Sequence, residues 1–154
     1  MPDRLPDVLE VVEEITIQAS PQKVWQALAT PEALRQWFEP ILQFDPKVGG
    51  RIVLSGLFQG VEPYHFGGAV TVFDPPNELS FEWDDLFESW PAPTMLTIRL
   101  TAVPEGTHVR LSHHGWERLP DSMRESMFRG FERGWDGNTV CRLKELVEQG
   151  SATW

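Results

Sequence analysis

A chain of 154 residues, 41% hydrophobic and 23% charged, is long enough for one domain with a real core and too ordinary in composition for a disordered or membrane-embedded class. Its 13 Lys plus Arg against 23 Asp plus Glu give a net charge of −10, which repels phosphate backbones and argues against a nucleic-acid partner. Seven Trp need a wide core or a cavity to line, and thirteen Pro belong in turns and first helical turns.

The first fourteen residues hold five acids and no apolar run fit for a signal segment or a membrane span, so a cytoplasmic address is expected. Leu9, Val11, Ile15, Ile17 and Ala19 then alternate with polar partners as in a half-buried strand, and Glu13 falls on its apolar face. Ser20-Pro21 and Thr30-Pro31 each pair a capping hydroxyl with a proline suited to the first helical position. Two short helices follow, with Val24, Trp25 and Leu28 on one apolar side and Leu34, Trp37 and Phe38 on the other. From Ile41 the period changes to two. Ile41 to Asp45 and Arg51 to Ser55 flank a turn that ends in Gly49-Gly50, and Tyr64, Phe66, Gly68, Val70 and Val72 form the next strand. Asp74-Pro75-Pro76-Asn77 stops it. Leu79, Phe81 and Trp83 alternate beyond, and the broken stretch Asp85 to Pro93, with Phe87 and Trp90, reads as a flap. Leu96, Ile98 and Leu100 precede the Pro104-Glu105-Gly106 turn, after which Val109, Leu111 and His113 face the same way. Short connections predict an antiparallel meander. Ser122 with Glu125 reads as a capping box for one helix running to about Gln149, roughly 40 Å long at the usual rise per residue. Phe128, Phe131, Trp135, Thr139, Leu143 and Leu146 recur along it as one stripe with Trp135 at its centre, and Gly150 is its stop. Cys141, the only cysteine, is expected as a plain buried thiol, and no disulfide or cysteine-based zinc site is available to the chain.

This order of a strand, two short helices, a six-stranded meander and a long terminal helix resembles the helix-grip fold of the START-like or SRPBCC superfamily, which includes the birch-pollen-allergen-like proteins. Ala19-Ser20-Pro21 with Val24-Trp25, Leu28, Thr30-Pro31-Glu32 and Leu34 to Trp37 is similar to the opening of the family named after the activator of the heat-shock-protein-90 ATPase. So are Phe44-Asp45-Pro46 through Arg51, the segment from Gly68 through Trp83, and Gly134-Trp135. The resemblance implies an α+β domain in which a curved sheet of about seven strands wraps a long C-terminal helix around an internal cavity, with residues 1–154 as one domain and a core over about 9–149. The eukaryotic cochaperones of this name carry a further chaperone-docking domain for which 154 residues leave no space, so a chaperone partner is not carried over.

No phosphate-cradling loop, nucleophile elbow, metal motif or dinucleotide fingerprint is present, so neither a cofactor nor a metal is expected. Side chains pointing from sheet to helix are then the candidates. Tyr64, Phe66, Trp83 and His113 from the strands, Phe87 and Trp90 from the flap, Trp37 and Phe38 from the short helices, and Met127, Gly130, Phe131, Gly134 and Trp135 from the last helix form the expected ligand-binding set. Trp116 belongs to the same mouth or to the core. His113 and His114 point to opposite faces of a strand and cannot chelate one ion together. For His113 a hydrogen-bonded core histidine is favoured over a general base, and for Glu13 a strand-end acid reaching solvent is favoured over a buried partner of His113. Gly134 is explained by close packing, whereas three glycines in eight residues, Gly130, Gly134 and Gly137, raise the alternative of room for a ligand. The leading expectation is a binder of a small hydrophobic, lipid-like or aromatic molecule without strong catalysis. A cyclase- or hydratase-like enzyme using His113 with Glu13 or Tyr64 is the first alternative. A cochaperone-like interaction module using the Asp85 to Pro93 loop is the second, and the choice between monomer and homodimer stays open.

Overall fold

The computed structural model describes residues 9–149 other than 39, 59, 60 and 136, with backbone alone for 57, 58 and 61–63. The expected stop at Gly150 and the first eight residues lie outside that range. Along the chain run β1 (Val11–Ile17), α1 (Pro21–Trp25), α2 (Pro31–Leu34), β2 (Ile41–Phe44), β3 (Arg51–Phe58), β4 (Val61–Asp74), β5 (Glu78–Asp85), β6 (Thr94–Val103), β7 (Gly106–His114), a 3-10 turn (Trp116–Arg118), α3 (Asp121–Gly134) and α4 (Thr139–Glu148).

The described strands form one seven-stranded antiparallel sheet in the order β1-β7-β6-β5-β4-β3-β2, so consecutive strands from β2 to β7 are neighbours and β1 closes beside β7. This is the helix-grip arrangement, with the C-terminal helices on the inner face. Local chemistry explains the entries to α1 and α2. Ser20 Oγ accepts from the Lys23 N–H at 3.2 Å and Thr30 Oγ1 from the Ala33 N–H at 3.1 Å, with Pro21 and Pro31 at the first helical positions. Gly49 takes φ +85 in the turn between β2 and β3, a conformation that other residues adopt at a cost. Inner-face residues Ile52, Leu54, Leu79, Phe81, Leu96, Ile98, Val109 and Leu111 are buried with Leu28 and Leu34. Each such side chain contributes about 1.5–3 kcal/mol by leaving water. A register shift between Val70 and Val72 interrupts the alternation in β4, so Phe73, rather than Val72, packs edge-on against Trp25 with ring centroids 5.4 Å apart.

The C-terminal helix departs from the single rod expected. It breaks between α3 and α4, where Trp135 has ψ 100 and Gly137 has φ +81. The expected capping box is also not formed. The helix begins at Asp121 behind Pro120, which puts Ser122 inside the first turn, and Arg124 organises that turn through Asp121 Oδ1 at 2.6 Å and the Leu119 carbonyl at 2.7 Å. Beyond the break, α4 packs against β1 through Val140, Leu143 and Val147. Cys141 lies off that face, partly exposed rather than buried, with its thiol 3.6 Å from the Gly137 carbonyl. No helix among the described residues is long and apolar enough to cross a membrane.

Candidate functional site

The inner face of the sheet and the end of α3 meet in a cluster of rings around His113 and Trp83. His113, fully buried on β7, has the rings of Trp116, Trp83, Phe131 and Trp135 at centroid distances of 4.3, 5.0, 5.2 and 6.0 Å. Trp83 on β5 adds Phe66 at 5.6 Å and Trp135 at 5.7 Å. Trp116, left between mouth and core by its sequence position, is fully buried and donates from Nε1 to the His113 carbonyl at 3.0 Å.

Both imidazole nitrogens are engaged. The indole N–H of Trp135 donates to Nδ1 at 3.0 Å. The Thr94 hydroxyl donates to the Trp83 carbonyl at 2.8 Å, so the 2.7 Å contact between Thr94 Oγ1 and Nε2 has the imidazole as donor, and the ring is the neutral Nε2–H tautomer. Burial pushes the pKa of His113 well below the usual histidine value, and the His114 charge acts in the same direction. The break after α3 brings Trp135 to this nitrogen. Trp135 is accordingly half-buried at a helix end, and the expectation that it centres a continuous stripe is corrected.

The sequence reading favoured a Glu13 that reaches solvent, and the structure corrects it. Glu13 is 6% exposed, and its carboxylate accepts from the Gly137 N–H at 3.1 Å and the Val140 N–H at 3.2 Å, which places a negative charge on the unsatisfied donors that open α4. A carboxylate needed by a helix start is not held against His113. Tyr64 in turn donates to Asp85 Oδ2 at 2.5 Å. The pairing of His113 with Glu13 or Tyr64 is therefore not formed in this arrangement.

The Asp85 to Pro93 segment is tied down at its base. Asp85, buried, accepts from the Phe87 and Glu88 N–H groups through Oδ1 at 2.9 and 3.0 Å, and Asp84 Oδ1 accepts from the Trp90 N–H at 2.9 Å. Trp90 is thereby folded inward against Phe66 and Phe131, with centroids 5.9 and 6.0 Å away, while Phe87 is 51% exposed and covers Tyr64 at 4.5 Å. Between this loop and α3 lies a pocket of about 220 Å³ lined by Tyr64, Asp85, Glu88, Trp90, Met123 and Met127 among others. Burial first, then the Asp85 hydrogen bond and the Asp85 and Glu88 charges, push the Tyr64 phenol up to about 12, so it stays protonated.

On α3, Met123, Met127, Gly130 and Gly134 fall on one stripe at helical spacing. A Cβ built on either glycine would meet nothing within 4 Å. Close packing therefore does not explain Gly134, which is exposed. Trp37 and Phe38 close the far side. Trp37 is buried with its N–H on the Ala27 carbonyl at 2.9 Å, and Phe38 stacks on Trp135 at 6.1 Å. Sequence reasoning missed Asp85 and Met123 as site residues. The signals were available: a carboxylate at a strand end ahead of a loop with N–H groups to satisfy, and a methionine one turn before Met127. No group of metal-ligating side chains occurs among the described residues.

Residues 18–148 match the family described as activator of Hsp90 ATPase homolog 1-like protein. The chain belongs to this family. Among solved structures, a Mesorhizobium loti protein shares the fold at 25% identity with a TM-score of 0.72, over 91% of this chain and 97% of its own. The Aha1 dimer from Colwellia psychrerythraea is 26% identical at a TM-score of 0.66, covering 93% and 98%, and a Bacillus halodurans protein is 26% identical at 0.64, covering 90% and 96%. Among curated proteins no sequence matches it. Membership in the activator homolog 1-like family thus agrees with the helix-grip architecture built from the strand order above.

Proposed function

We propose that the protein binds a small hydrophobic or aromatic molecule in the gap between α3 and the sheet, entered beside Tyr64, Trp90, Met123 and Met127. The observation that carries this reading is the 220 Å³ pocket at the start of a helical stripe whose next member, the partly buried Gly130, presents no side chain and would meet nothing if it did. Tyr64, Trp90, Met123 and Met127 supply aromatic and adaptable thioether surface beside the polar Asp85, Glu88 and Ser89, a mixture that can hold an apolar body and orient it. Asp85 holds both Tyr64 and the loop, so the entrance keeps its shape when empty.

The neutral fluorophore N-phenyl-1-naphthylamine tests the site directly. It should brighten with the wild-type protein, and Gly130→Leu should weaken its binding by about tenfold or more by filling the stripe. The melting temperature should hold or rise, because leucine replaces a poor helix former at a gain of up to about 1 kcal/mol. A lowered melting temperature with dye affinity intact would mean packed core at Gly130 and would remove the ligand site.

A further inference from the structure

Trp83 carries an indole N–H that nothing among the described residues satisfies. The side chain is 4% exposed, and Nε1 has no hydrogen-bond partner. Its neighbours are treated differently by the same fold: the N–H groups of Trp37, Trp116 and Trp135 each have an acceptor within 3.0 Å. Buried donors without partners are rare because each forfeits its bonds to water. An internal water is a poor remedy here, since it needs two or more polar partners of its own. The rings that pack on the indole are those of Phe66, Phe81, Phe131 and Trp135, together with His113, whose two nitrogens are both in use.

We infer that the ligand of the α3 gap presents an uncharged acceptor oxygen, of a ketone, ester or ether, to Trp83 Nε1. This rests on the gap being a ligand site. The space lies one ring away, because Phe131, which packs on Trp83 at 6.0 Å, packs at the same distance on Trp90, a wall of the 220 Å³ pocket. The oxygen is uncharged because no Lys or Arg is buried among the described residues, His113 is held neutral, and two carboxylates, Asp85 and Glu88, line the entrance. An anion would lose its hydration there and gain no counter-charge. The flat rings on several sides of Trp83 suit an aromatic or other planar apolar body.

Two fluorophores that differ by one acyl group separate recognition of the oxygen from packing: 6-propionyl-2-(dimethylamino)naphthalene, a ketone, and 2-(dimethylamino)naphthalene, which lacks the carbonyl. The ratio of their affinities for wild-type protein should shrink by about fivefold to tenfold in Trp83→Phe, the scale of one neutral hydrogen bond. The ketone stretch of the bound probe should lie at lower wavenumber in the wild type than in the same probe held in an apolar solvent, a reading that needs no variant. Equal loss of both probes in Trp83→Phe, an unchanged ratio, or an unshifted carbonyl stretch overturns the inference. Should N-phenyl-1-naphthylamine bind while the ratio stays constant, only the acceptor recognition falls. Should none of the three bind wild-type protein, the ligand site itself falls.

Discussion

Glu13 lies on the inner face of β1, where alternation alone places it, yet what it does there depends on residues 124 and 127 positions away. Its carboxylate substitutes for the side-chain cap that Asn138 does not supply to α4. Glu13→Gln keeps the shape and one acceptor but removes the charge, and should lower stability by about 1–2 kcal/mol. Glu13→Ala, which leaves the Gly137 and Val140 N–H groups without their partner, should cost more, about 2–3 kcal/mol. Urea midpoints for both variants measure this. If neither midpoint moves, the carboxylate is not what opens α4. His113 is the complementary case. Its inward direction was legible from Val109 and Leu111, whereas its tautomer came from Thr94 and Trp135, which the β7 sequence does not mention.

The C-terminal helix shows why a continuous periodic pattern does not guarantee a continuous element. Phe128 and Leu143 keep the stripe in phase, but the chain between them contains Gly134, Gly137 and Asn138, and tertiary contacts exploit that weakness. Glu13 claims the amide of Gly137, and His113 claims the indole of Trp135. The two glycines should respond oppositely to substitution. At Gly137, with φ +81, alanine meets a left-handed conformation that costs L-residues about 1–2 kcal/mol. At Gly134, the last residue of α3, alanine has open space and a better helical propensity, and should add about 0.5–1 kcal/mol. Thermal melts of Gly137→Ala and Gly134→Ala should move in opposite directions. Two changes of the same sign would show that α3 and α4 are joined more continuously than the dihedral angles indicate.

For the whole molecule, the buried histidine ties stability to pH. In the unfolded chain His113 titrates near 6.5, whereas in the folded protein burial holds it neutral to a much lower pH. Below 6.5 the unfolded state therefore binds more protons, so this contribution is complete above about pH 6.5 and declines as the pH falls. His114, lowered chiefly by its own burial, acts in the same sense. Glu10, lowered chiefly by its hydrogen bond from Arg110, adds stability above its ordinary value of 4.5 that is lost only at stronger acid. The urea midpoint should fall between pH 7 and pH 5, and His113→Gln, referred to its own value at pH 7, should fall less. An equal decline in the two proteins would assign the effect to other groups.

Residue periodicity, the Ser20-Pro21 and Thr30-Pro31 starts, and the Gly49 turn were enough to determine the order of the strands and the two short helices, because each depends on chemistry within a few neighbouring residues, and the helix-grip fold followed from the family resemblance that this order carries. Inward direction was equally legible for Tyr64, Phe66, Trp83 and His113, since a strand places alternate side chains on one face. Only the folded chain decided which of those groups are already satisfied. Glu13 is taken by α4, Tyr64 by Asp85 and His113 by Trp135, while the Trp83 N–H has no acceptor among the described residues. The physical reason is that burial and hydrogen-bond satisfaction depend on partners brought together from 21 to 127 residues apart, and a local pattern specifies a direction but not the atom at the end of it.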